Sequence, residues 1–221
     1  MNALTEKLKI ELWKRFATKE FPSEWDGSIY GGGKVSQRFW EYFKAIEFLD
    51  PAADSIVLDI GGGSPKTGIG FFSMLLKDCL KKVIVLDPNA GSIYDNIVAI
   101  KEEASFSALK NTFEKYPGIT HITSISVFEH MDSRLREDMI KAINDFFKGA
   151  AFIATFEYHS KKCFMDHQLT TKTVHETFRH FTNFYLSSVE SSPVSATDAY
   201  KKHLLTPLWY PLAVKFEKIR Q

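Results

Sequence analysis

Residues 55–60 (SIVLDI) form a short apolar run closed at once by Gly61, Gly62 and Gly63. Such a run, without polar alternation, is the pattern of a strand buried on both faces of a parallel sheet. A helix is expected next at about 69–80, where Phe72, Leu75, Leu76, Cys79 and Leu80 give an inner face. KVIVLD at 82–87 then repeats the buried-strand pattern, ends in an acid and is stopped by Pro88. Strand, glycine turn, helix and strand in this order commit the chain to a parallel sheet covered by helices.

The same alternation continues. NIVAI (96–100), HITSISVF (121–128) and AAFIATFEY (150–158) are the expected third, fourth and fifth strands. A short helix with Phe106, Leu109 and Phe113 precedes the fourth strand. A longer one follows it, with an Asp or Ser cap, Leu135, Met139, Ile140, Ile143, Phe146 and Phe147 at helical spacing, and Gly149 after its end. The tail holds a helix at about 171–181 and strand-like runs at 183–189 and 211–219. One connection is short: 88–95 offers eight residues, where a parallel crossover takes at least about 10–12. Either its helix has shrunk to a turn or the third strand lies elsewhere.

Two helices are expected before the first strand, marked by Leu4, Leu8, Leu12 and Phe16 and by Phe39, Trp40, Phe43, Ile46 and Leu49. Pro51 ends the second. Between them 23–36 (SEWDGSIYGGGKVS) reads as a glycine-rich loop. The chain divides into an N-terminal helical lid, 1–51, and a sheet domain, 52–221, as one structural unit. With 221 residues, it can bury roughly 70% of its unfolded surface. Lys plus Arg number 28 and Asp plus Glu 27, a balance without the basic excess that phosphate backbones demand, so no nucleic-acid partner is expected. Two cysteines make neither a disulfide framework nor a Cys-based zinc site. Charges interrupt the N-terminus every few residues, so neither a signal peptide nor a membrane partner is expected, and the chain reads as cytoplasmic. The aromatic content, 19 Phe, 8 Tyr and 4 Trp, needs a use. Trp25, Tyr30, Phe39, Trp40, Tyr42 and Phe43 suit either a lid over a ligand or a docked helix.

VLDIGGGSPKTG (57–68) carries the strongest chemical signal. Glycines between a strand and a helix let backbone approach a ligand and aim N–H groups at an anion. The dinucleotide fingerprint fails, because counting from Gly61 reaches Gly63 and then Lys66 where a third glycine is needed. The phosphate loop of ATP and GTP enzymes fails as well: Lys34 follows Gly33, but Ser28 stands at the first glycine and Val35 follows the lysine. Asp87, at the end of the second strand, is placed to accept two hydrogen bonds from neighbouring ribose hydroxyls.

At these residues the chain resembles the class I S-adenosylmethionine-dependent methyltransferases of small-molecule type. Asp59, Gly61 and Gly63 match the family's first motif, with Pro65 in place of its third glycine. ITSISVFEHM (122–131) looks like the fourth-strand motif. The resemblance covers about 52–160. It implies a Rossmann-like open twisted sheet, mostly parallel with an antiparallel last strand, helices on both faces and an N-terminal helical extension. It also implies S-adenosyl-L-methionine as cofactor. The methionine part would lie on Asp59, Gly61, Gly62 and Gly63, the ribose on Asp87 beside Pro88, the adenine near Glu103 (or Glu102) and Ala104, and the methyl group beside Ser126 and Val127.

Methyl transfer from a sulfonium is an in-line displacement governed by positioning, with a base needed where the acceptor carries a proton. His130, after the fourth strand, is a candidate base or acceptor-binding group, or else a helix cap. His159, at the end of the fifth, holds an equivalent rim position. Glu129 is expected at the sheet edge, satisfying backbone donors. The remaining histidines, His121, His167, His175, His180 and His203, show no metal pattern, and no metal is expected. The Asn/Asp-Pro-Pro-aromatic run that the family uses on nucleobase amines is absent after the fourth strand. The expected acceptor is therefore a small molecule, methylated at oxygen. The alternatives are an inert cofactor-binding or interaction module and a nicotinamide-dependent oxidoreductase; the oligomeric state is left open.

Overall fold

The computed structural model describes residues 1–17, 27–91, 94–147, 149–159, 169–191 and 209–219, with backbone alone at 27–37, 158–159, 170–172 and 209–211. Two helices, α1 (Ala3–Ala17) and α2 (Gly27–Leu49), precede β1 (Ile56–Ile60). There follow α3 (Phe71–Leu76), β2 (Lys82–Leu86), β3 (Ile97–Ile100), α4 (Phe106–Lys115) and β4 (His121–Ile125). A 3-10 turn (Phe128–His130) leads to α5 (Ser133–Phe146), β5 (Ala151–His159), β6 (Leu169–Thr170), α6 (Thr171–Phe178), β7 (Phe184–Ser191) and β8 (Trp209–Lys218).

The strands lie in the order β3-β2-β1-β4-β5-β8-β7, with β6 paired to β5. β1 to β5 run parallel, and β8 is antiparallel to both β5 and β7. This is the expected open sheet with an antiparallel last strand. The short connection is explained: Val83 pairs in parallel with Ile97, so the third strand is where the sequence puts it, and turns and bends replace a helix in the described part of 87–96.

Other boundaries differ from the sequence reading, each for a local reason. α3 is six residues long, not twelve, because the preceding chain is pinned by the Gly70 N–H bond to the Gly62 carbonyl at 2.7 Å. At its other end, the Asn96 side chain bonds the Lys77 carbonyl. β4 stops at Ile125 because Ser126 turns to φ +52°, which breaks the ladder. The stretch 27–36, expected as loop, is helical backbone within α2. Ala45, Ile46 and Leu49 are buried and anchor the C-terminal half, and extending a formed helix costs far less than nucleating one.

Alternation along the strands sends side chains to two cores. Val57, Val83, Val85 and Ile153 pack with α1, α2 and α3 through Leu8, Leu12, Ile46, Leu49, Phe72 and Leu75. Leu58, Ile60, Ile84 and Ile122 pack with α4 and α5 on the other face. Much of the phenylalanine content lies there: Phe178 and Phe181 stand 4.9 and 4.8 Å from Phe216, ring centre to ring centre, beside Phe128, Phe152 and Phe156. On α2, Phe39 packs 4.4 Å from Trp13, and Tyr42 stacks 5.4 Å from Phe72. Trp25 lies outside the described residues, as does the side chain of Tyr30.

Candidate active site

The strand order turns back between β1 and β4, and the ends of these strands are where an open parallel sheet leaves room for a ligand. The glycine turn fills this position. Gly61 has φ +74°, and its N–H donates to the Leu86 carbonyl at 2.9 Å. A Cβ on Gly61 would lie 2.3 Å from Val127 Cγ2, one on Gly62 2.2 Å from Asp59 Oδ2, and one on Gly63 2.4 Å from Asp87 Oδ1. All three positions exclude a side chain, so the turn passes tightly between two carboxylates and the end of β4.

Asp59 is 2% exposed. Its Oδ2 accepts from Ser73 Oγ at 2.5 Å and its Oδ1 from Thr123 Oγ1 at 2.8 Å. Burial, with Asp87 nearby, pushes its carboxyl up to about 6 against the pull of the two hydroxyls. With both oxygens engaged, Asp59 braces the glycine turn from beneath. Asp87 is half-buried at the end of β2, and its Oδ1 accepts from the Asn89 N–H at 2.6 Å. Pro88 beside it is exposed. Further along the same edge, Glu103 is exposed and Ala104 buried, just before Ser105 caps α4.

Between the turn and α2 lies a cavity of about 190 Å³, lined among others by Gly61, Gly63, Arg38, Tyr42 and Ser126. Its far wall is polar and tied together. Ser126 N–H donates to the Thr155 carbonyl at 2.8 Å, and Ser126 Oγ donates to Glu41 Oε1 at 2.8 Å. Arg38 Nη1 reaches Glu41 Oε2 at 2.9 Å. A non-glycine residue in the left-handed region costs of order 1–3 kcal/mol and persists where its surroundings over-determine it. Here the β5 carbonyl and Glu41 do so.

Glu129 corrects the expectation of a carboxylate at the sheet edge. It is 8% exposed, and neither carboxyl oxygen makes a hydrogen bond of good geometry. Burial, then Glu41 and Glu157, push it up to about 8, with its own backbone N–H and, more weakly, Arg38 pulling the other way. His130 is exposed on the 3-10 turn, its N–H donating to the Val127 carbonyl at 2.9 Å, and it does not line the cavity. His159 ends β5, and its side chain lies outside the described residues.

Sequence reasoning thus places the glycine turn, Asp59, Ser126 and Val127 together and Asp87 beside Gly63. It misses Arg38 and Glu41, which α2 contributes beside Tyr42, one of the aromatics expected as a lid or a docked helix. A signal was present: Glu41 shares a helix face with Ala45 and Leu49, both buried, and an acid on a buried stripe is seldom there for packing. Among the described residues, no group of three or more His, Cys, Asp or Glu is placed to hold a metal ion, and no helix is long and apolar enough to cross a membrane.

No family profile matches the sequence, and no curated protein matches it either. Solved structures do. The geranyl diphosphate C-methyltransferase from Streptomyces coelicolor A3(2), in complex with Mg2+, geranyl diphosphate and S-adenosyl-L-homocysteine, superposes with a TM-score of 0.58 at 10% identity, covering 81% of this chain and 78% of that one. A geranyl diphosphate methyltransferase in complex with GPP and sinefungin gives 0.59 at 10% identity, covering 83% and 78%. The chain has the fold of these methyltransferases.

Proposed function

We propose that the protein is an S-adenosyl-L-methionine-dependent methyltransferase acting on a small molecule, with oxygen as the methylated atom. The observation that supports it most is the glycine turn, whose three positions leave no room for a Cβ between Asp59, Asp87 and Val127. The turn stands at the switch point of the strand order, where an open parallel sheet binds its ligand. The cofactor would supply an electrophilic methyl group on a sulfonium.

In this reading Gly61, Gly62 and Gly63 present backbone to the methionine part, with Asp59 holding the turn's shape from below. Asp87, beside Pro88, accepts from the ribose hydroxyls, and Glu103 and Ala104 border the adenine. Ser126 and Val127 flank the methyl group, and Arg38, Tyr42 and Ser126 wall the acceptor side. His159, which ends β5, is the candidate proton acceptor for a hydroxyl, whereas His130 stands exposed on the 3-10 turn and does not line the cavity. Residues 1–51 act as a lid as well as a packing layer. The missing dinucleotide glycine at Lys66 disfavours a nicotinamide enzyme, and the chain is read as cytoplasmic.

The test is incubation with methyl-labelled cofactor and fractionated cell extract. A labelled small molecule whose methyl group sits on oxygen supports the proposal. Cofactor binding without label transfer to any fraction supports an inert binding module instead.

A further inference from the structure

Two neighbouring strands leave the sheet through left-handed residues: Gly61 after β1, at φ +74°, and Ser126 after β4, at φ +52°. Val127 fills the place between them. A Cβ on Gly61 would meet Val127 Cγ2 at 2.3 Å, Cγ1 at 2.8 Å and Cβ at 3.1 Å, so this side chain lies against the first residue of the glycine turn. Glycine takes the left-handed conformation without steric cost, whereas serine does not. Two bonds hold Ser126 there. One, from its N–H to the Thr155 carbonyl, belongs to the sheet. The other, from its Oγ to Glu41 Oε1 at 2.8 Å, comes from α2. Glu41 has no exposed surface, and Arg38 Nη1, one turn earlier on the helix, holds its second oxygen at 2.9 Å. A carboxylate aimed by a guanidinium and carried on a helix buried through Tyr42, Ala45, Ile46 and Leu49 is a fixed acceptor.

We propose that Glu41 is a positioning residue for cofactor binding: by holding Ser126 left-handed it keeps Val127 against Gly61, and so gives the glycine turn the shape that receives the methionine part. This rests on the methyltransferase reading, and it extends the cofactor site to a helix that touches the turn only through another residue. A return of Ser126 to negative φ would redirect the chain after β4 and take Val127 away from Gly61. The coupling is reciprocal, so a cofactor that binds only the formed turn also holds α2 in place.

The experiment is calorimetric titration of S-adenosylhomocysteine into the full chain, as wild type, Glu41→Leu, Glu41→Gln, Ser126→Ala, Ser126→Gly and the double variant Glu41→Leu/Ser126→Gly. Glu41→Leu keeps the buried volume, and Arg38, with 30% of its side chain exposed, can turn to water, so the variant should fold. It should bind at least about tenfold more weakly than the wild type. Ser126→Ala, which removes the other end of the bond, should lose about as much. Glu41→Gln keeps a hydrogen bond to Ser126 Oγ in either amide orientation and should stay within about threefold of the wild type. In the Ser126→Gly background the positive φ carries no strain, so adding Glu41→Leu should cost less than about a further threefold, a non-additive cycle. A residue that only stabilised the fold would weaken binding equally in both backgrounds. Equal losses in the two backgrounds, wild-type affinity in Glu41→Leu, or Glu41→Gln as weak as Glu41→Leu overturns the proposal alone. No binding of S-adenosylhomocysteine by the wild type is a separate result, which overturns the methyltransferase reading and this proposal with it.

Discussion

Ser126 Oγ donates a 2.8 Å hydrogen bond to Glu41 Oε1, joining the end of β4 to a carboxylate that α2 buries completely. The bond closes the polar wall of the cavity and fixes where α2 crosses the strand ends. Ser126→Ala leaves Glu41 one donor short in a desolvated place, which costs about 1–3 kcal/mol. Ser126→Gly loses the same bond but relieves the φ of +52°, so it should cost about 1 kcal/mol less. Chemical denaturation of the two variants measures the difference.

The glycine turn makes a second, sharper expectation. Gly63→Ala drives a methyl group to 2.4 Å from Asp87 Oδ1, so Asp87 or the turn must move. Binding of S-adenosylhomocysteine should weaken at least about tenfold, or about 1.4 kcal/mol. Gly149→Ala, where a Cβ would meet nothing within 4 Å, is the matched control and should bind normally.

Stability should depend on pH through Glu129. Its folded value, about 8, lies above its ordinary value of 4.5, so between these limits the folded state holds more protons than the unfolded one. The stabilising contribution is therefore complete below about pH 4.5 and is lost as pH rises through 8, at up to about 1.4 kcal/mol per pH unit. Asp59, raised from 3.8 to about 6, acts in the same direction over its lower window. Glu129→Gln should flatten the slope between about pH 6 and pH 8 and be the more stable protein at about pH 8. Denaturation midpoints across that range provide the check.

Tyr42 joins packing to the site. Its ring is 6% exposed and stacks on Phe71 and Phe72 at 5.6 and 5.4 Å, where it also lines the cavity. Tyr42→Ala should destabilise by about 3 kcal/mol through the void it leaves, while Tyr42→Phe, which keeps the ring, should cost under about 1.5 kcal/mol. Thermal unfolding of the pair tests this.

The sequence makes the central sheet legible because its strands are buried on both faces and their apolar runs are continuous: β1, β2 and β5 fall within a residue of their expected limits. The boundaries that moved depend on contacts that local pattern does not carry, such as the left-handed Ser126 that ends β4 and the Gly70–Gly62 bond that shortens α3. Gly61 to Gly63 and Asp87 were readable because a turn without side chains is written in residue identity. The α2 wall of the cavity was not, since Arg38 and Glu41 reach the strand ends only through the tertiary placement of α2. Glu129 was visible as a motif residue, but its burial was not: the 3-10 turn after β4 carries it inward and leaves its neighbour His130 outside.

The central claim is that this glycine turn and Asp87 hold S-adenosyl-L-methionine, and calorimetric titration of S-adenosylhomocysteine into the wild type and Asp87→Ala tests it most directly. The account predicts one equivalent bound by the wild type, binding weakened at least about tenfold in Asp87→Ala, and no binding of NAD. No binding of S-adenosylhomocysteine by the wild type, or equal affinity in Asp87→Ala, would contradict it.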